Sequence, residues 1–271
     1  MEEHEEPFRH TPLDLSTNSI RLIEYVCLSY VWGPDDETHT ITINGQPFQV
    51  RRNLWDFLKT ASTHVRRRDF NALWIDALCI DQSNLLERNH QVKQMGSIYR
   101  NAHHVIAWLD DDAFVARHNQ EAWITHHQKS DDHNLGELRM FCDNEYWQRA
   151  WITQEVFLAR EIFFLAGMNV LDLKSLLGGA KVYISGLTRR TGYQHFQPFY
   201  DIQERSGTFS LLENLWRFRQ KECSDWRDAV YSLLSISEDA AYLDVKYDIS
   251  RVALALEVMQ NPQEDFCLCH A

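Results

Sequence analysis

The chain has 271 residues, room for one large domain or two small ones, and 44% hydrophobic with 24% charged residues is an ordinary globular composition. That excludes a disordered, collagenous or coiled-coil chain. The balance of 27 basic against 39 acidic residues, a formal net charge of −12, argues against a general nucleic-acid or anionic-membrane binder, which needs a basic face.

A small anionic ligand needs only a few local donors and stays open. The apolar runs fall far short of the ~20 residues that cross a bilayer. The acidic start Met1-Glu2-Glu3-His4-Glu5-Glu6 does not read as a secretory signal. The scattered cysteines are therefore expected to be reduced thiols in a cytoplasmic protein.

Residues 1–19 are polar and hold Pro7 and Pro12, which reads as an N-terminal arm. Residues 24–32 form a β-rich run that stops at Gly33-Pro34-Asp35-Asp36. Thr40–Ile43, Asn44-Gly45 and Phe48–Val50 predict a hairpin, because Asn-Gly accepts the positive φ of a tight turn. A helix follows, with Asn53 as its cap and Leu54, Phe57, Leu58 and Ala61 on one face. Residues 72–81 read as a strand buried on both faces, as in a parallel sheet.

Val92, Met95, Ile98, Tyr99 and Ala102 mark a helix over 86–102, and residues 104–109 a further strand. The alternation of strand and helix predicts an α/β layer structure. Residues 113–142 read as polar helix, 145–160 as one Trp-rich helix, and 162–165 as a strand turned back at Gly167. Beyond 172 the pattern is helical at 173–184, 208–219 and 226–236. A short extended piece at 243–247 precedes a last helix from Ser250. The expected organisation is an arm (1–19), an α/β domain (20–172) and a mostly helical C-terminal region (173–271).

Four blocks stand out together. They are Leu28–Gly33; Leu73–Gln82 with Glu87-Arg88, Gln91-Val92, Met95 and Ile98-Tyr99; Tyr146–Glu155; and Asp225–Leu234. In this order they resemble the heterokaryon incompatibility (HET) domain of filamentous fungi. The first three cover the domain, roughly 24–165, and the fourth resembles the segment that commonly follows it. The resemblance implies a role in fungal non-self recognition, where such domains trigger cell death.

HET domains are in turn similar to Toll/interleukin-1 receptor (TIR) domains. This implies a TIR-like parallel sheet flanked by helices and, as in several TIR domains, cleavage of NAD at the nicotinamide–ribose bond by one helical glutamate. In that family a Trp stands four residues before the glutamate, the spacing of Trp151 and Glu155; the small hydroxyl residue common before that Trp is replaced here by Ala150. NAD is then a substrate, and no tightly held cofactor is implied. The partners implied are further copies of the chain, another incompatibility protein and the NAD-like small molecule, without nucleic acid or membrane.

The chemistry suits one carboxylate. Residues four apart share a helix face, so Trp151 and Glu155 would point the same way, with Gln148 and Ile152 nearby. Cleaving the bond leaves an oxocarbenium-like ribose, which a neighbouring anion stabilises, while nicotinamide departs neutral without a general acid. In an α/β sheet, ligands sit at the carboxyl ends of the strands. There Ser29, Tyr30, Trp32, Gly33, Asp76 and Asp81 are placed as substrate-binding residues, with Trp151 as an apolar wall. Arg149 and Arg88 are candidates for the pyrophosphate.

Plainer roles stand beside these. Glu155 reads equally as a surface carboxylate paired with Arg160 or Arg149, and Trp147 and Trp151 as core. Asp76, within an apolar run, needs a partner, either a ligand or an ion pair with Arg88 or Arg100. Asp81 suits a helix cap. Cys79 reads as a packed thiol, and neither the adjacent histidine pairs nor Cys267-Leu268-Cys269-His270 make a metal site. The alternative to an enzyme is a signalling module that relays cell death by self-assembly.

Overall fold

The computed structural model describes residues 24–64, 72–109, 141–167, 169–172 and 209–260. The expected arm at 1–19, nearly all of the helix at 113–142, the helix at 173–184 and the Cys267–His270 motif lie outside these residues.

The central strand is β1 (Val26–Tyr30). Beside it lie β4 (Leu73–Trp74) on one edge and β5 (Val105–Trp108) on the other, followed by β6 (Ile162–Ala166) and β7 (Asn169–Asp172). The order is β4-β1-β5-β6-β7. The first four strands run parallel and β7 is antiparallel. The expected parallel α/β sheet flanked by helices is thus present. The period of two in β1 sorts its side chains to two cores. Val26, Leu28 and Tyr30 meet Leu54 and Phe57 of α1 (Arg52–His64). Cys27 faces Met95 and Tyr99 of α3 (Leu85–Asn101) and Ile152 and Val156 of α4 (Ala150–Leu158). The hairpin β2 (Thr38–Ile43) and β3 (Gln46–Arg51) forms its own two-stranded sheet. It turns on Asn44 (φ 53°) and Gly45 (φ 79°), as expected.

The chain moves from β1 outward to β4, then crosses back to β5 on the other side. This reversal makes the carboxyl ends of β1 and β5 the switch point of the sheet, the place where open α/β sheets bind ligands.

Three local expectations are corrected. The run 72–81 does not continue as a strand: Asp76–Cys79 is a helical turn, α2. The Asp76 carboxylate accepts from the Ala77 amide at 2.7 Å, and the Leu78 and Cys79 amides return to the Ile75 carbonyl. This local bonding replaces a sheet ladder. Asn53 does not cap α1; its amide donates to the Val31 carbonyl and its Oδ1 accepts from Trp108 Nε1 at 2.7 Å, tying α1 to β5 and the end of β1.

The third correction concerns 145–160, which is not one helix. A 3-10 turn at Glu145–Gln148, capped by Asn144, is followed by an extended Arg149 and then α4. Arg149 pairs there with Glu222: the Glu222 amide donates to the Gln148 carbonyl at 2.6 Å and the Ala150 amide to the Glu222 carbonyl at 2.9 Å. Trp147 and Trp151 therefore belong to different elements, and Gln148 is outside the face of Glu155.

After residue 208 come α5 (Leu211–Arg217), with a Ser210/Glu213 capping box, α6 (Asp228–Tyr231) and α7 (Arg251–Met259), capped by Ser250. Residues 243–247 form no strand, but Leu243, Val245 and Tyr247 are buried. Together with Tyr231, Leu233 and Leu254 they join the same core as Val105 and Phe164. Contact with α3 is close enough to require glycine: a Cβ on Gly96 would lie 2.0 Å from Ser235 Oγ.

Candidate functional site

The site assembles where β1 ends. Ser29 points to the α3 and α4 side, buried, with its hydroxyl 2.7 Å from the Tyr146 hydroxyl. Glu155 comes to it from α4 and is only 2% exposed. Its Oε2 has no hydrogen-bond partner. Burial pushes its pKa up to about 7; Arg149 opposes that rise, Asp76 adds to it, and the Ser29 and Tyr99 hydroxyls temper it. Glu155 is therefore not a surface carboxylate. Arg160, its other suggested partner, is exposed and acts on Tyr25.

Asp76 is the second buried acid, 8% exposed. Its Oδ2 accepts from Trp32 Nε1 at 2.8 Å and its Oδ1 from the Ala77 amide. Burial raises its pKa, while Arg149, Trp32, Ala77 and the Tyr30 hydroxyl oppose the rise, Arg149 most strongly. Arg149 is thus the counter-ion shared by both carboxylates. Its Nη1 also donates to the Tyr30 carbonyl. One guanidinium facing two buried acids leaves a local excess of negative charge, which physically favours keeping a proton on Glu155.

Outside this pair the site is half-buried, through Trp32, Gly33 and Arg149. Gly33 has φ 73°, a left-handed conformation that favours glycine, and its carbonyl accepts from Arg51 Nη1 at 2.6 Å. The Arg51 guanidinium also lies 5.3 Å from the centre of the Trp32 ring. The 29–33 turn is thereby held from the hairpin side by Arg51 and from α1 by Asn53.

Of the residues singled out from the sequence, Ser29, Tyr30, Trp32, Gly33, Asp76, Arg149 and Glu155 come together. Two do not. Asp81 is exposed and turns on itself, accepting from the Ser83 amide and hydroxyl; Asn84, not Asp81, caps α3. Trp151 shares α4 with Glu155, but its indole reaches Asp228, which also accepts from the Tyr247 hydroxyl at 2.5 Å. Arg88 is drawn to that second cluster too, stacked 3.7 Å from the Tyr247 ring centre. It does not answer Asp76, and Arg100 donates instead to the Ser235 carbonyl.

Sequence reasoning did not assign Tyr99, Tyr146, Arg51 or Asn53 to the site. The two tyrosines had a signal: a tyrosine on a buried helix stripe still needs a partner for its hydroxyl. Cys79 is exposed rather than packed, and its thiol pKa is raised, the opposite of what activates a nucleophile. Among the described residues, no three His, Cys, Asp or Glu side chains gather to hold a metal ion.

A carboxylate that titrates near neutrality, beside a second acid and at a strand's carboxyl end, is equipped to hold or accept a proton and to stabilise a neighbouring cation. Residues 25–155 match the family described as heterokaryon incompatibility protein (HET). Heterokaryon incompatibility protein 6, OR allele, of Neurospora crassa is 36% identical over 96 residues, 31% of this chain and 14% of that protein. The chain thus corresponds to only a small part of that relative's length. No solved structure matches it. Among the described residues no helix is long and apolar enough to cross a membrane.

Proposed function

Residues 25–155 are a heterokaryon incompatibility domain, and on that premise we propose that the protein acts in fungal non-self recognition and cell death as a TIR-like NAD glycohydrolase. The observation that carries this reading is Glu155: a buried acid with an unpartnered oxygen and a pKa near 7, beside Ser29 at the end of the central strand. In this reading Glu155, in its ionised form, stabilises the ribose cation as nicotinamide leaves, water adds to the ribose carbon with loss of a proton, and Asp76 and Trp32 hold the cationic ring. The substrate approaches over Trp32 and Gly33. The reaction takes place in the cytoplasm, and self-association covers the exposed 34–36 segment beside the site. Another incompatibility protein supplies the trigger.

The test is to incubate purified protein with NAD and measure free nicotinamide. Release by the wild type, and its loss in a folded Glu155→Gln variant, is the expected result. Specific activity should rise with protein concentration if self-association completes the site.

The burial of Glu155 favours a second reading. A carboxylate at 2% exposure touches no solvent-borne substrate in this conformation, and a non-enzymatic module that relays cell death by self-assembly needs none. No nicotinamide release at high protein concentration, with undiminished cell killing by Glu155→Gln, would decide for that module.

A further inference from the structure

The break in the helix expected over 145–160 falls at Arg149, the residue that neutralises the site. The sequence around it suits a helix, and the 3-10 turn on one side and α4 on the other are both helical. Arg149 alone is extended, at φ −68° and ψ 138°. What holds it there comes from residues 221 and 222, distant along the chain. The Glu222 amide donates to the Gln148 carbonyl at 2.6 Å, the Ala150 amide to the Glu222 carbonyl at 2.9 Å, and the Lys221 ammonium to the Trp147 carbonyl. These three bonds flank Arg149 on both sides. With its backbone extended, its side chain reaches the Tyr30 carbonyl and lies in the field of Asp76 and Glu155.

We propose that the Arg149 guanidinium is a built-in occupant of a cation subsite formed by Asp76, Glu155 and Trp32, latched there by residues 221–222, and that a cationic aromatic ligand takes its place when the latch opens. The subsite has the chemistry for such a ligand. It offers two buried carboxylates against one guanidinium, the Glu155 Oε2 without a partner, and a half-buried indole beside Asp76. A flat cation is attracted to an indole face as well as to the acids. The exchange conserves charge: one internal cation leaves and one external cation enters, so neither acid is left uncompensated.

The latch also has two positions available. Released from Glu222, the 148–150 backbone loses the partner that holds it extended, and the Ala150 amide is open to solvent until helical hydrogen bonding through 149 joins the two pieces. Switching between two packings of one segment is a recognised route to gating. The identity of the physiological ligand as NAD rests on the function proposed above; the latch itself does not.

The test uses the full chain and the 1-methylnicotinamide cation as probe. Glu222→Pro removes the amide that bonds Gln148. Glu222→Ala keeps the backbone bonds and serves as control. Lys221→Met weakens the latch without a proline and covers the case in which Glu222→Pro does not fold. Affinity is read by calorimetry and opening by hydrogen exchange at the Ala150 amide. The expected result is at least tenfold tighter probe binding and at least tenfold faster exchange in the latch variants, with Glu222→Ala as wild type. Unchanged affinity or unchanged exchange in Lys221→Met and in any folded Glu222→Pro overturns the latch. Tighter probe binding without nicotinamide release from NAD in any variant upholds the latch and overturns the glycohydrolase reading.

Discussion

Replacing Glu155 by Gln should make the protein more stable at alkaline pH, not less. Burial lifts the Glu155 pKa from an ordinary 4.5 up to about 7. Because the folded value lies above the unfolded one, the native state binds more protons between those limits. Stability therefore falls as pH rises through that window and levels off above about pH 7. At 1.36 kcal/mol per pKa unit, the wild type loses about 3 kcal/mol across the window through this group. Glutamine keeps the size and carries no charge, so the variant escapes that loss. At pH 5, where the native wild-type acid is protonated, the two proteins should differ little. Urea denaturation of both at pH 5 and pH 8 gives the comparison. Asp76 is raised in the same direction, but it is present in both proteins and largely cancels. Parallel stability profiles for wild type and variant from pH 4.5 to 8 would refute the argument.

Arg149→Met should cost roughly 3–5 kcal/mol at pH 8, because it leaves buried acids without their counter-charge; the cost should shrink at pH 5, where Glu155 is protonated, as denaturation at the two values would show. Asn53→Ala removes the bonds to the Val31 carbonyl and from Trp108 Nε1, and each orphaned group costs about 1–3 kcal/mol, measurable as a lower denaturation midpoint. Gly96→Ala places a Cβ against Ser235; overpacking of about 1–3 kcal/mol should lower Tm, and an unchanged Tm would contradict the close contact between α3 and the 234–236 turn.

The central sheet was legible because its strands are short apolar runs, and the separate hairpin because it carries Asn44-Gly45, whose φ angles suit those residues. The helix α3 showed its buried stripe, and Ser250 marked the start of the last helix. Legibility failed where distant parts of the chain decide the local outcome. Nothing between 145 and 160 announces the break at Arg149, since its cause is Glu222. The apolar letters of 72–81 suggest a strand, yet one side chain, Asp76, binds its own neighbour's amide and starts a helical turn. The site was half legible: position at a strand end could be read for Ser29, Trp32 and Asp76, whereas the departure of Trp151 to Asp228 depends on how α6 packs. The described residues beyond 208 share a core with the sheet, which composition alone does not reveal.

Two local conflicts converge on 149–155. A helix-compatible segment is held open at Arg149, and a carboxylate is buried on α4 with one oxygen unsatisfied. Either conflict alone would be an ordinary imperfection; stability is better served by a continuous helix and an apolar residue at 155. Their proximity matters because each depends on the other. Extended Arg149 opposes the rise in the Glu155 pKa, and its withdrawal leaves that carboxylate to another cation or to a proton. Natural sequences concentrate such inconsistencies at functional sites. The enzyme and assembly readings assign different agents to relieve them: a small cation entering the subsite, or a second chain competing with residues 221–222 for the backbone of 148–150. Either agent could accompany withdrawal of Arg149, so withdrawal by itself favours neither. What separates them is whether a small cation is sufficient for it, because a partner surface offers backbone groups and apolar area that no single ring can supply.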